Sequence, residues 1–288
     1  MGWPVRRALA ALHRVLARPP RVPRKPFRVI AGLSAVAVFA LVMGVPTDGG
    51  AASLARRIVP PDTKTVASRT GLAFTGEPAV GALFGYSSGR LGGHFCTASV
   101  VHSPAGDLAV TAAHCVAGKT TGQIAFVPGY ANGKAPYGVW QVTQVYTDAA
   151  WQASQDPDDD VAFLRLSASS HGIEIEDITG AETLGTDWPE GSTLVQVIGY
   201  PDGADQPVWC VNWTKSFSPT QLEFDCGGYT DGTSGGPFLA NLSVTTGQGT
   251  VIGVIGGYEQ GGLTPSVSYS SVFGTAVQAL YRTAVAGH

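Results

Sequence analysis

Three short stretches of this sequence carry residues that could do chemistry together. "TAAHC", Thr111 to Cys115, sets His114 directly after small residues. "DDDVAFLRL" ends an acidic run at Asp160, just before an apolar strand pattern. "DGTSGGP", Asp231 to Pro237, packs glycines on both sides of Ser234. Each has an ordinary explanation by itself: a structural histidine, a solvated acidic loop, a tight surface turn. Glycine, however, is the costliest residue to fix, and it belongs where φ must be positive or side chains cannot fit. A reacting hydroxyl whose neighbouring N–H groups must reach a developing oxyanion is such a place. The chain order His, Asp, Ser is one in which nucleophile, base and orienting carboxylate are known to occur. Asp156, Asp158 and Asp159 are read as solvated loop, since their spacing is not that of a calcium loop.

Positioning three residues so far apart requires a scaffold of many short elements. The 288 residues include 38 Gly and 19 Pro, a composition suited to short strands and turns. Beta-rich runs such as "AVGALFGY", "HFCTASVVH", "QIAFVPGY", "GVWQVTQVYT" and "VAFLRL" are separated by the turn signals "SSGRLGG", "SPAGD" and "YANGK". After a middle connection the pattern resumes with "STLVQVIGYP", "PVWCVNWTKSF", "LEFDCGGY", "PFLANL", "TVIGVIGGY" and "VSYSSVF". The final "GTAVQALYRTAV" has the spacing of a short amphipathic helix. The expected fold is all-β: two packed antiparallel six-stranded barrels, about residues 75–175 and 185–272, with a short C-terminal helix. His114 and Asp160 fall in the first strand cluster and Ser234 in the second, so a cleft between the barrels would unite them.

With a net charge of −3 and 14% charged residues, the composition argues against a nucleic-acid partner. The N-terminal segment is basic without acids and is followed by the uncharged run Val29 to Val45 and by "GGAAS". That is the layout of a secretory signal, expected over residues 1–52, with a linker or pro-segment at 53–74 and the folded domain at 75–288. An uncleaved anchor is the competing reading, because the run approaches the length needed to span a bilayer. The four cysteines, Cys96, Cys115, Cys210 and Cys226, suggest two disulfides in an exported chain. Three pairings are formally possible. Near-neighbour pairing joins Cys96 to Cys115 and Cys210 to Cys226.

The motifs "TAAHC", "DVAFLRL", "GTSGGP" and "HFCTASVV" resemble the trypsin/chymotrypsin-like serine peptidases, and the export signal and small size look most like the family's bacterial secreted branch. The resemblance spans about residues 75–285. It implies His114 as general base and then acid, Asp160 as the group fixing the imidazole, and Ser234 as nucleophile. It implies an oxyanion hole from the N–H groups of Gly232 and Ser234, and Cys96 placed to bridge Cys115. The pocket base would be Gly228, with Tyr229, Gly256, Gly257 and Tyr258 as walls or, for the tyrosines, core aromatics. Members that cut after Lys or Arg carry Asp at the pocket base, and glutamate-preferring members carry His where this chain has Ile255; neither preference is matched. Animal members carry Asp directly before the nucleophile to pair with an inserted N-terminus. Thr233 stands there, so that switch should be missing and the loop must be held by other contacts, such as a Thr233 hydroxyl hydrogen bond and the nearby Cys226 bridge. The implied function is a secreted, monomeric serine endopeptidase acting on polypeptides, with no cofactor or metal and no membrane association once the signal is removed. The alternative is a catalytically silent binding module on the same fold.

Overall fold

In the computed structural model, residues 69–189 and 191–287 are described. The expected signal segment and most of the expected linker lie outside them. Among the described residues no helix is long and apolar enough to cross a membrane.

The first half of the domain is a closed barrel. Its strands are β2 (Val80–Ser87), β3 (Arg90–Val101), β4 (Leu108–Thr111), β5 (Ile124–Pro128), β6 (Trp140–Thr147) and β7 (Ala162–Leu166), paired in the order β2-β3-β4-β7-β6-β5. The turn from β2 to β3 is only two residues, Ser88 and Gly89, with φ of 51° and 76°. Positive φ at both positions matches the natural twist of a hairpin, which is why β3 begins inside the expected loop. Val80, Ala82, Leu83, Val100, Leu108, Val110, Phe126, Phe163 and Leu164 are all fully buried in the core.

The second half departs from a six-stranded barrel. Strands β9 (Leu194–Gly199), β10 (Val208–Ser216), β11 (Gln221–Asp225), β12 (Pro237–Ala240), β13 (Thr250–Val254) and β14 (Val267–Ser271) are the expected six. Two short strands, β1 (Leu72–Ala73) and β8 (Thr183–Leu184), extend them to an eight-stranded curled sheet in which β1 pairs with β10 and β8 with β13. The main-chain ladder does not run between β13 and β14. There the Val254 N–H donates to Ser270 Oγ at 2.9 Å, and the Gly256 N–H donates to the Tyr269 carbonyl at 3.0 Å. A side chain at Gly253 would meet Ser270 Oγ at 2.3 Å, so this seam closes through a serine hydroxyl where the ladder fails. Both barrels together give the double-barrel fold expected from the motifs.

Short helices α1 (Ala149–Ser154) and α2 (Ile175–Thr179) lie in the connections, and α3 (Thr275–Ala286) ends the chain. Helix α3 buries Val277, Leu280 and Ala284, one face at helical spacing. It returns to the first barrel: Tyr281 packs against Phe163, and the Arg165 guanidinium donates to the carbonyls of Ala284 and Gly287 at the helix C-terminus. A cation there satisfies orphan carbonyls and the helix dipole together. Asp107 pairs with the same guanidinium at 3.1 Å. Both disulfides are the near-neighbour pairs, Cys96–Cys115 and Cys210–Cys226, so each staples within one half.

Candidate active site

His114 sits in a single 3-10 turn, Ala113–Cys115, directly after β4. Cys115 ties that turn to β3 through Cys96. Asp160 follows another 3-10 turn, Pro157–Asp159, and is fully buried. Its carboxylate accepts three hydrogen bonds: the His114 N–H at 2.8 Å on Oδ1, and His114 Nδ1 at 2.7 Å and the Gly257 N–H at 2.9 Å on Oδ2. A carboxylate can only accept, so Nδ1 carries a proton, and in the neutral imidazole Nε2 is then the lone-pair acceptor. A buried charge held by three donors is compensated, as burial demands. Asp160, rather than its acidic neighbours, is therefore the acid that lies against His114. The neighbours have structural uses: Asp156 accepts from the Asp158 N–H at 3.1 Å, and Asp158 accepts from Gln221 Nε2 at 2.6 Å.

Ser234 lies in the loop between β11 and β12. Its carbonyl accepts the Thr97 N–H of β3 at 2.7 Å, which docks the loop on the first barrel. The glycine that follows is dictated by this docking. At Gly235, with φ of 80°, a Cβ would lie 2.1 Å from Thr111 Oγ1 and 2.2 Å from the Thr97 carbonyl. Gly232, with φ of 89°, is equally constrained, since a Cβ would sit 2.6 Å from both Asp202 N and Tyr200 O.

The main chain of this loop is oriented by its carbonyls. The Asp231 carbonyl accepts the Asp202 N–H at 2.6 Å. In a trans peptide the N–H points opposite to the C=O, and no cis peptide occurs among the described residues. The Gly232 N–H therefore points away from Asp202. The Thr233 carbonyl accepts the Gly236 N–H at 3.0 Å, which turns the Ser234 N–H away in the same manner. Neither the Gly232 nor the Ser234 N–H has a partner among the described residues. Thr97 Oγ1 donates to the Gly232 carbonyl at 3.0 Å and accepts the Tyr200 N–H at 2.9 Å, fixing the next peptide too. Thr233 Oγ1 donates to the Thr230 carbonyl at 2.7 Å, the hydroxyl contact expected in place of an ion pair.

His114 and Ser234 line one cleft of about 790 Å³, with Gly232 and Thr233 between the two barrels. Of the expected pocket residues, Tyr229 lines it as well. Tyr229 is at the same time a core aromatic: it is buried, its hydroxyl donates to the Val197 carbonyl at 2.8 Å, and burial pushes its phenol up. Gly228 is not among the residues that line the cleft; a Cβ there would face Gly71 N at 3.8 Å and Thr70 Cγ2 at 3.9 Å. Gly256 and Gly257 face Asp160 and do not line the cleft. Tyr258 is 40% exposed and packs on Phe217 and Tyr269, beyond the cleft.

Sequence reasoning misses the remaining wall. It includes Phe95, Lys119, Asp202 and Ser268, together with the turn from Glu259 through Pro265. Glu259 and Gln260 hold φ of 51° and 54° ahead of Gly261 and Gly262, a left-handed run that non-glycine residues adopt rarely. The paired glycines are the available signal. One group of possible metal ligands exists among the described residues, Cys96, His114 and Cys115. Its two sulfurs are joined in the disulfide and offer no thiolate.

No curated protein matches the chain. Solved structures do. The protease Anisep from Arthrobacter nicotinovorans is 23% identical, with a TM-score of 0.63, over 76% of this chain and 100% of that one. The thermostable serine protease AL20 from an extremophilic microorganism is 23% identical, with a TM-score of 0.61, over 74% and 99%. A Glu endopeptidase is 15% identical, with a TM-score of 0.58, over 76% and 98%. These likenesses show the fold. The family model of the trypsin-like peptidase domain matches residues 96–254, more than half the chain and the whole stretch from the first disulfide to β13, so the chain belongs to the trypsin-like peptidase family.

Proposed function

We propose that this peptidase is a secreted serine endopeptidase that works through an acyl-enzyme. The observation that carries the reading is the His114–Asp160 pair opening into the same cleft as Ser234, beside two free main-chain N–H groups. Ser234 Oγ attacks the scissile carbonyl while His114 Nε2 takes its proton. The carbonyl oxygen becomes an oxyanion bonded by the Gly232 and Ser234 N–H groups. Collapse breaks the C–N bond and expels the amine, which takes the proton from His114 and leaves the acyl group on Ser234 Oγ. Water then attacks the acyl carbon as His114 takes its proton; collapse breaks the ester bond, frees the acid and returns that proton from His114 to Ser234 Oγ. Asp160 holds Nδ1–H and stabilises the imidazolium throughout. Substrates are polypeptides. Ile255 on the wall, with Asp202, Asp231 and Glu259 lining the cleft beside Lys119, does not favour a glutamate preference. Two disulfides fit an oxidising, extracellular location.

The test is labelling by an organophosphonate. Ser234 should be modified in the wild type and remain unmodified in Ser234→Ala, which should fold normally and lose at least about 10⁴-fold in kcat. Absence of labelling would favour a silent binding module.

A further inference from the structure

Gln221, the first residue of β11, is buried and belongs to no part of the cleft wall. Its Nε2 donates to the Pro157 carbonyl at 3.1 Å and to Asp158 Oδ1 at 2.6 Å. Its Oε1 accepts the Tyr258 N–H at 3.1 Å. The partners on one side are acceptors and the partner on the other is a donor, so the amide has one orientation. No other side chain of similar length both donates two bonds and accepts one there. A carboxylate could not donate, and an ammonium could not accept.

The amide joins two segments that both lead to Asp160. Pro157 and Asp158 belong to the turn that precedes it. Tyr258 directly follows Gly257, whose N–H is the third donor to Asp160. The loop of the first barrel and the strand end of the second are thus tied twice, at Asp160 itself and at Gln221. The loop needs a donor. Burial first, and then the charges of Asp148, Asp156 and Asp158, push the Asp159 carboxyl up, a sign of like charges crowded around one turn. Gly257 is left-handed at φ 74°, and a Cβ there would meet Gln221 Oε1 at 2.3 Å, so the strand end is shaped around the amide.

We propose that Gln221 is a positioning residue: by clamping the Pro157–Asp158 turn to Tyr258 across the two barrels, it fixes the Asp160 carboxylate against His114. Its effect on turnover rests on the peptidase reading above; its effect on the His114–Asp160 bond does not.

Two variants and one pair test this. Gln221→Met keeps length and packing but makes none of the hydrogen bonds. Gln221→Glu can still accept from Tyr258 but faces Asp158 and Pro157 with the wrong polarity. Adding Asp158→Asn to it restores a donor across the same gap. The readouts are the downfield proton resonance of His114 Nδ1–H, and kcat and KM on one peptide ester well below the melting temperature. Gln221→Met should move or broaden the resonance and lower kcat about tenfold, with KM within about twofold. Gln221→Glu should lose more, and Asp158→Asn should recover most of that loss. The cleft charges Lys119, Asp202, Asp231 and Glu259 are the same in every variant. The proposal is overturned by an unchanged resonance and kcat in Gln221→Met, by a loss confined to KM, or by a paired variant no better than Gln221→Glu. If Gln221→Met does not fold, the single and paired Glu variants decide the question by the same two readouts. A wild type without turnover refutes the peptidase reading, and the resonance still judges the clamp.

Discussion

The two sides of the cleft are built from different materials. On one side, the His114–Asp160 contact is made by side chains, a buried carboxylate against an imidazole, braced by the Gln221 amide reaching over from β11. On the second barrel's side, the groups beside the Ser234 hydroxyl are the main-chain N–H groups of Gly232 and Ser234, oriented by carbonyls held at Asp202 and Gly236 and by the Thr97 hydroxyl. A proton must be carried by a titratable side chain, whereas a donor to an oxyanion need only be a rigid N–H. In the proposed mechanism the glycines of "DGTSGGP" follow from that: a loop that works through its backbone must let other backbone come close.

If the two sides differ in this way, damage to them should differ as well. Asp160→Asn keeps the shape of the side-chain half but reverses one hydrogen bond, putting His114 in the wrong tautomer. It should lower kcat by about 10⁴-fold with little change in KM, measured on a peptide ester. Equal loss on altering Asp159, with Asp160→Asn active, would show the wrong acid was assigned. Gly232→Ala attacks the main-chain half. The methyl meets Asp202 and Tyr200 backbone, so the N–H must turn, and kcat should fall about 10²- to 10³-fold. A loss as deep as that of Asp160→Asn, or none, would break the contrast. Thr233→Val removes only the hydroxyl bond to Thr230. It should cost about 1 kcal/mol of stability and less than tenfold in kcat, read by thermal melting and kinetics together.

The smallest effect on activity should come from the seam between the halves, away from the cleft. Glu182 is fully buried there, its N–H donating to Val100 of β3 and its carbonyl accepting from His102. One carboxylate oxygen accepts the Gly249 N–H and the other has no partner among the described residues. Burial pushes its carboxyl up to about 8, against the Gly249 bond and with help from Glu77. The folded protein then holds a proton that the unfolded chain has released above its ordinary value of 4.5. Stability from this group is complete below that value and is lost as pH rises through about 8. Glu182→Gln should leave kcat unchanged and flatten the fall in melting temperature across that window. An unaltered slope would show that another group sets it.

The strands are legible in the sequence because β-rich runs between turn residues report burial directly, and "TAAHC" and "GTSGGP" because few chains need those neighbours. Less can be read where long-range packing decides. The segment 69–74 looks like linker because a two-residue strand has no periodicity, yet Leu72 and Ala73 pair with Trp209 and Val208. Gly256 and Gly257 look like pocket wall from the motif alone, and nothing in that motif tells that the Gly257 N–H donates to Asp160 or that a Cβ at Gly256 would meet it. Gln221 gives no signal, since one glutamine at a strand start is ordinary and its three partners lie far away in sequence.

That entry segment has a practical consequence. Gly71 donates to the Gly227 carbonyl at 2.7 Å, Gly227 donates back to Arg69 at 2.7 Å, Phe74 donates to Pro207 at 3.1 Å, and Arg69 reaches the Val211 carbonyl. Strand β11 covers β10 only from Thr214 onward, and β1 caps β10 at its start, at Val208 and Trp209. Recombinant chains that start before Arg69 keep this cap. Chains that start after Phe74 present a bare strand edge with unpaired amide and carbonyl groups, which is a template for other chains. Such truncated material should self-associate on storage, and the place chosen for a tag or a start codon decides whether a preparation stays monodisperse.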